Sequence, residues 1–156
     1  MNVRELMTVD PEACTPQDTL NLAGQIMRRR RCGFVPVVDS LATKQVIGVL
    51  TDRDIALYLT QADAQATQVK VDACMTKESK TVAPDAELEE AARTMEQHAV
   101  HRLPVVDDGK LVGVLSLKDI ARAARKEWAG TGPRRVEQQM VDIMEAIAAA
   151  QATRTD

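Results

Sequence analysis

The sequence predicts an α/β protein built from two similar halves, each with the element order β-α-β-β-α, followed by a C-terminal helix. Three observations support this prediction. The first half of the chain recurs in the second half, apolar residues repeat at helical spacing in one segment of each half, and patterns typical of buried strands follow that segment. A chain of 156 residues with 45% apolar and 28% charged residues has the composition of a globular protein.

The internal duplication is visible without any structure. Residues 3–39 align with residues 71–107 without a gap, and 11 of these 37 positions are identical, whereas chance would give about two or three. After three extra residues in the first copy, "GVLTDRDIA" (48–56) is matched by "GVLSLKDIA" (113–121). The predicted domains are therefore a first repeat at 1–62, a second repeat at 63–128, and a C-terminal helix and tail at 129–156.

Each copy predicts its elements in the same order. A short extended segment, "ACT" or "TVA", precedes a proline, which disfavours helix in the residue before it. A helix follows, which Asp18 or Thr19 is expected to cap in the first copy. "FVPVVD" and "RLPVVD" then predict buried strands that pair with "QVIGVL" and "LVGVLS", and a second helix starts at Asp52 and at Leu117. Because three strands leave a sheet face uncovered, the copies should pack together around a pseudo-twofold axis.

The tail departs from the repeat after Trp128, where "AGTGP" interrupts the pattern and Pro133 suits the first turn of a new helix. Apolar residues form a narrow seam along this helix, of the kind that meets another helix. The sequence leaves open whether that other helix belongs to the same subunit, although we expect a homodimer formed through this seam. The seam residues are Val136, Met140, Ile143 and Ile147.

Composition disfavours several classes of partner. The net charge of −3 is spread along the chain, so no basic field would recruit nucleic acid. The N-terminus does not resemble a signal peptide, and no apolar run approaches the roughly 20 residues of a membrane helix. Three widely separated cysteines, Cys14, Cys32 and Cys74, suggest core filling in a reducing cytoplasm.

Catalytic signatures are also missing from the sequence. We find no Gly-rich phosphate loop, no Ser-His-Asp arrangement and no paired catalytic carboxylates. His98 and His101 are the two histidines of the chain, too few for a histidine-rich metal site. We therefore expect neither an enzyme, nor a bound metal, nor a required cofactor.

A hydroxyl and an acid follow the "GVL" strand in both copies, as Thr51 with Asp54 and as Ser116 with Asp119. On a first helical turn, such a carboxylate can accept two hydrogen bonds from a ribose diol, and the hydroxyl with nearby N–H groups can reach a phosphate. A helix cap would explain a single pair equally well. The recurrence of the pair favours a small-molecule site.

The duplicated pattern MT…P…A…M…PVVD…GVL-T/S-x-x-D-I resembles the cystathionine β-synthase (CBS) domain in its tandem form, the Bateman module. The resemblance covers about residues 3–125. It implies a disc-like pair of repeats with two clefts between them that bind adenine nucleotides or related adenosyl ligands. It also implies a regulatory, stand-alone protein, because the chain carries no second domain of catalytic size.

The resemblance implies a phosphate contact for Arg102, close to Ser116 and Asp119. An arginine fork binds phosphate bidentately and always carries its charge. His101 beside it would add a charge that depends on pH. This cleft is expected to be the tighter nucleotide site.

The other cleft should differ, because Phe34 stands where the second copy has its arginine. The cleft of Thr51 and Asp54 would be weaker, empty or suited to a ligand with less phosphate. By resemblance, the base would contact residues at the start of the cleft-facing segments. These are Val9, Cys32 and Gly33 for one site and Lys77 and Val100 for the other.

The expected function is that of a sensor. Its ligand would be AMP, ADP or ATP, with S-adenosylmethionine or NAD as alternatives, and ligand binding would change the conformation read by a downstream protein that the sequence does not identify. The alternative is a constitutive dimerisation or protein-docking module without a physiological nucleotide.

Overall fold

The computed structural model describes residues 1–128, 140–146 and 148–149. Contacts divide the chain into two compact units. We call the unit built around the first repeat the amino unit and the one built around the second repeat the carboxy unit. The amino unit comprises Asp10–Ser79 and Asp108–Leu111, and the carboxy unit comprises Met1–Val9, Lys80–Asp107 and Val112–Asp156.

The α/β class and the predicted order of long elements are confirmed, with a short strand added near the start of each repeat. Residues 140–146 are also helical, and none of the helices in the described part of the chain is both long and apolar enough to cross a membrane. The strands and helices are β1 (Thr8–Val9), α1 (Leu20–Arg30), β2 (Phe34–Val38), β3 (Val46–Thr51), α2 (Asp52–Ala62), β4 (Thr76–Lys77), α3 (Leu88–His98), β5 (Arg102–Asp107), β6 (Lys110–Ser116) and α4 (Leu117–Trp128).

The amino unit contains an antiparallel sheet in the order β2-β3-β4. The segment "ACT", predicted to be extended, contributes a single parallel bridge between Cys14 and Val37. The third strand is instead β4, which comes from the leading segment of the second repeat. Sequence reasoning missed this strand because two residues are too short to show the alternation of apolar and polar side chains.

The sheet of the carboxy unit has the order β1-β6-β5. Thr8 lies opposite Val114 and Val9 opposite Gly113, while Val82 makes a single bridge with Val105. Each unit therefore completes its sheet with the leading strand of the other repeat. We refer to this arrangement as the strand exchange.

The helix caps follow the sequence closely. Thr19 Oγ1 accepts a hydrogen bond from Leu22 N at 3.2 Å, which confirms Thr19 as the N-cap of α1. Asp18 instead accepts one from Thr15 N at 2.7 Å and closes the preceding turn. Helix α1 ends where Arg31 adopts a left-handed conformation, with φ of 51°.

Each unit has its own apolar core between the sheet and the helices. Apolar residues of α1 and α3 at the predicted spacing point into these cores, which accounts for the stability of helices of this length. In the amino unit the buried residues that form the core cluster are Cys14, Leu20, Ala23, Ile26, Met27, Val35, Val37, Leu50 and Val71. In the carboxy unit the core cluster is formed by Val3, Val82, Leu88, Ala91, Ala92, Met95, Leu103, Val105, Leu115, Ile120 and Ile143.

The tail helix, residues 140–146, packs on the carboxy unit. Ile143 is only 1% exposed within that core, and Met140 packs against it from the edge. The sequence left open whether the seam of the tail helix contacts the same subunit or another one. Ile143 contacts the core of its own subunit. Val141 and Met144 face outward, and the other two seam positions, Val136 and Ile147, lie outside the described residues.

Replacing Ile143 by alanine is expected to lower the free energy of unfolding by about 2–4 kcal/mol, because it leaves a cavity in the core. Met144→Ala is the matched control, since Met144 is 58% exposed on the same helix and its loss should cost less than about 0.5 kcal/mol. Urea denaturation measures both values. Equal losses in the two variants would contradict the described packing of the tail.

Candidate functional site

Thr51 and Asp54 sit where β3 passes into α2. Thr51 N and Oγ1 both donate hydrogen bonds to Asp54 Oδ2, at 2.9 and 2.7 Å, and Asp54 N donates to Thr51 Oγ1 at 3.2 Å. This reciprocal pattern is a capping box. The helix-cap alternative that the sequence left open is therefore present in the structure.

Ser116 and Asp119 repeat this geometry between β6 and α4. Ser116 N and Oγ donate to Asp119 Oδ2, at 2.9 and 2.5 Å, and Asp119 N donates to Ser116 Oγ at 3.3 Å. The duplication thus preserves a three-bond arrangement as well as the two residue types.

Capping engages only one oxygen of each carboxylate. All of these bonds to the acids go to Oδ2, and within the described part of the chain Oδ1 of Asp54 and of Asp119 accepts no hydrogen bond. Both side chains are half-buried. Each residue can therefore cap its helix through Oδ2 and still offer a charged acceptor to a ligand through Oδ1.

A cavity of about 300 Å³ lies beside Ser116 in the carboxy unit. This is at the lower end of the range for small-molecule sites. Three residues predicted for the site line this cavity, His101, Arg102 and Ser116, whereas Asp119 does not line it but is hydrogen-bonded to Ser116. The lining residues are His101, Arg102, Ser116, Leu117, Lys118, Ala121 and Met140.

Cationic groups dominate the polar part of this cavity. Among the described residues, neither Arg102 nor Lys118 forms an ion pair, so both charges are available to an anion. The apolar part of the lining is aliphatic and comes from Leu117, Ala121 and Met140. Such a cavity can hold an anionic group at one side and an apolar group at the other.

Sequence reasoning missed four of the lining residues. Lys118 and Ala121 lie three residues apart on the helix that follows Ser116, so helical geometry indicates that they share one face of it. Leu117 is the first residue of the same helix. Met140 carries no local signal, because its position depends on where the tail helix docks.

The corresponding region of the amino unit has a different character. Phe34, aligned with Arg102, is 8% exposed and belongs to the buried interior. Cys32 is half-buried, and its Sγ–H donates to the Phe34 carbonyl at 3.2 Å. A Cβ atom at Gly33 would overlap the Asp52 carboxylate, so glycine is required for this close approach.

The other predicted wall residues lie in both units. Val9 is 65% exposed on β1, and Val100 is half-buried against the carboxy core. Lys77, on β4, pairs with Asp72 at 3.0 Å. A contact of these residues, or of Cys32 and Gly33, with a ligand stays a prediction.

Cys14 and Cys74 do not resemble reactive thiols. Burial, with a smaller effect from the Asp18 charge, raises the pKa of Cys14 to about 12. Burial also raises the pKa of Cys74, and the Asp54 charge adds to the effect. Thiols with raised pKa values stay protonated at neutral pH and are poor nucleophiles.

In the described part of the chain, no group of three or more His, Cys, Asp or Glu residues could hold a metal ion.

Several known proteins are similar to this chain in sequence or in fold. The CBS domain family matches residues 3–61 and 69–126. The CBS domain-containing protein YhcV of Bacillus subtilis is 35% identical over 141 residues, which cover 90% of this chain and 98% of that protein. Inosine-5'-monophosphate dehydrogenase of Staphylococcus aureus is 32% identical over 114 residues, which cover 72% of this chain but only 22% of that enzyme.

This chain is also similar to CBSX2, a protein of Arabidopsis thaliana, whose structure has been solved in complex with AMP. It superposes with a TM-score of 0.69 at 28% identity and covers 81% of this chain and 98% of that chain.

Proposed function

The chain belongs to the CBS domain family, and from that premise we propose that it is a regulatory module that binds an adenine nucleotide at the cavity of Arg102, Ser116 and Asp119. The observation that carries the proposal is that unpaired cations line a cavity beside Ser116, whose hydrogen-bond partner Asp119 is a half-buried carboxylate with no hydrogen bond to Oδ1 among the described residues. Phosphate requires the first feature and a ribose diol the second.

The ligand is AMP, ADP or ATP, with S-adenosylmethionine or NAD as alternatives. The relative CBSX2 was solved with AMP, which supports this class. With only 2% aromatic residues in the chain, the base is held by aliphatic contacts. Leu117, Ala121 and Met140 supply such contacts in this cavity.

Met140 connects the proposed ligand to the tail helix. It lines the cavity, and Ile143, three residues later, is anchored in the carboxy core. A ligand that displaces or holds Met140 therefore acts on a helix that also presents Val141 and Met144 outward. We propose this helix as the element through which binding is signalled to a downstream protein.

The proposal also covers catalysis, assembly and location. We infer no catalytic role, and the match to only 22% of inosine-5'-monophosphate dehydrogenase supports a module distinct from that enzyme's remaining chain. The outward face of the tail helix is the proposed homodimer contact. The three cysteines are free, which favours a reducing cytoplasm.

A thermal-shift series with AMP, ADP, ATP, S-adenosylmethionine and NAD tests the proposal. At a ligand concentration of about 100 Kd, binding should raise the melting temperature by about 5–10 °C. Arg102→Ala should weaken binding of AMP by about 10- to 100-fold, because it removes a charged contact to phosphate. It should leave binding of adenosine, which has no phosphate, unchanged.

Arg29→Ala is the control, since Arg29 pairs with Glu12 at 3.1 Å on the exposed surface of the amino unit. It should bind AMP as the wild type does. If no ligand raises the melting temperature at millimolar concentration, the sensor proposal fails. An unchanged dimer mass by light scattering, with and without nucleotide, would then favour the alternative of a constitutive docking module.

A further inference from the structure

Six of the seven residues that line the cavity have counterparts in the first repeat, which allows the two sites to be compared position by position. Met140 is the exception, because it comes from the tail. The counterparts of His101, Arg102, Ser116, Leu117, Lys118 and Ala121 are Gly33, Phe34, Thr51, Asp52, Arg53 and Ala56.

The largest change in charge along the first helical turn is at the position of Leu117, which is Asp52 in the first repeat. In both units the main-chain N–H of this residue donates a hydrogen bond to the carbonyl of the residue just before β2 or β5. Leu117 N donates to the His101 carbonyl at 2.8 Å, and Asp52 N donates to the Gly33 carbonyl at 3.2 Å. The two units therefore share the same main-chain hydrogen bond at this position, and they differ in the side chain that it carries.

The Asp52 carboxylate folds back onto Gly33, into space that any side chain at position 33 would need. Its Oδ1 accepts a hydrogen bond from Arg53 N at 2.8 Å. In the carboxy unit the equivalent donor is Lys118 N, which donates to no protein acceptor within the described residues. A side-chain carboxylate thus occupies in one unit the helix N–H that is open in the other.

An unpaired N–H on the first turn of a helix, next to cationic side chains, is a good position for a phosphate oxygen. The Asp52 carboxylate is itself an anion held at that position. A phosphate would have to displace this carboxylate and would be repelled by its negative charge. Because position 34 is phenylalanine, no arginine equivalent to Arg102 is present to offset that repulsion.

We propose that Asp52 is a specificity-determining residue that excludes phosphorylated ligands from the first-repeat site. The chain then binds one phosphate-bearing nucleotide, in the carboxy unit, although both repeats retain the hydroxyl and acid that suit a ribose. This inference rests on the proposed function and adds to it the number and the location of the nucleotides bound.

Titration calorimetry with AMP on the full chain tests the inference through a reciprocal exchange. The wild type should bind one AMP per chain. Asp52→Leu, which installs the residue of the second repeat, should add a second and weaker AMP site. Leu117→Asp, the reverse exchange, should weaken the wild-type site by about tenfold or more, through repulsion between like charges.

Leu117→Asn controls for the loss of apolar contact, because asparagine has the shape of aspartate without the charge. It should bind AMP at least about tenfold more tightly than Leu117→Asp. Melting temperatures of all variants without ligand establish that each is folded.

The outcomes separate the two claims. A wild type that binds none of AMP, ADP, ATP, S-adenosylmethionine and NAD overturns the proposed function, and the inference with it. A wild type that binds two AMP per chain keeps the proposed function and overturns the inference. So does an Asp52→Leu variant that takes up no second AMP at millimolar concentration, or equal affinities of the Leu117→Asp and Leu117→Asn variants.

Discussion

Replacing Asp119 by asparagine is expected to weaken AMP binding by about 30- to 100-fold, equivalent to about 2–3 kcal/mol. The amide oxygen can take over the hydrogen bonds that Ser116 N and Oγ donate to Asp119 Oδ2, so the helix cap is preserved. The amide NH2 then stands where Oδ1 was, and it presents a donor to a ribose diol that needs an acceptor. Titration calorimetry measures the loss.

Asp54→Asn is the matched control, because Asp54 has the same three-bond geometry with Thr51 in the other repeat. If the cavity beside Ser116 is the nucleotide site, this variant should bind AMP with nearly wild-type affinity. Both variants should melt within a few degrees of the wild type without ligand. Equal AMP affinities of the wild type and the Asp119→Asn variant would show that the acid is only a cap.

Gly48→Val is expected to lower the free energy of unfolding by about 2–4 kcal/mol. Gly48 lies opposite Lys77 where β3 pairs with β4, and a Cβ atom there would overlap the carbonyl oxygen of Thr76 and come within 3.0 Å of Met75 Cε. Since the first obstacle is backbone, a rotamer change cannot relieve it. The strand pair must separate, which exposes part of the amino core.

Gly24→Ala is the contrasting substitution. Gly24 is inside α1, and a Cβ atom there would meet nothing within 4 Å. Alanine should therefore stabilise the protein, by about 0.5–1 kcal/mol, through its helix propensity. Urea denaturation of both variants gives the comparison, and a Gly48→Val variant as stable as the wild type would contradict the described pairing of β3 with β4.

Most of the fold could be predicted because the sequence pattern of its long elements occurs in both repeats. The aligned positions identified the long strands and helices, and Thr19 was recognisable as a cap from its residue type and place. The strands β1 and β4 were not predictable in this way. They have two residues each, and their pairing depends on β6 and β3, which lie in the other repeat.

The site was predictable to the extent that it is local in sequence. A hydroxyl and an acid at i and i+3 indicate a capping box, and in the structure the hydrogen bonds of this box engage only Oδ2 of the acid. The contribution of Met140 was not predictable, because it depends on tertiary docking of the tail. Nor did the pattern single out Asp52, since its effect depends on the glycine that faces it.

The strand exchange has a consequence for how the protein is made on the ribosome. Most of the amino unit is one continuous stretch, Asp10–Ser79, so its sheet can close soon after β4 has emerged. Thr8 and Val9, although synthesised earlier, must wait for β6 before they gain a partner. This segment therefore gains its partner later than segments that follow it in the chain, and nascent chains that stall before Ser116 should carry a paired β2-β3-β4 sheet beside an unpaired β1.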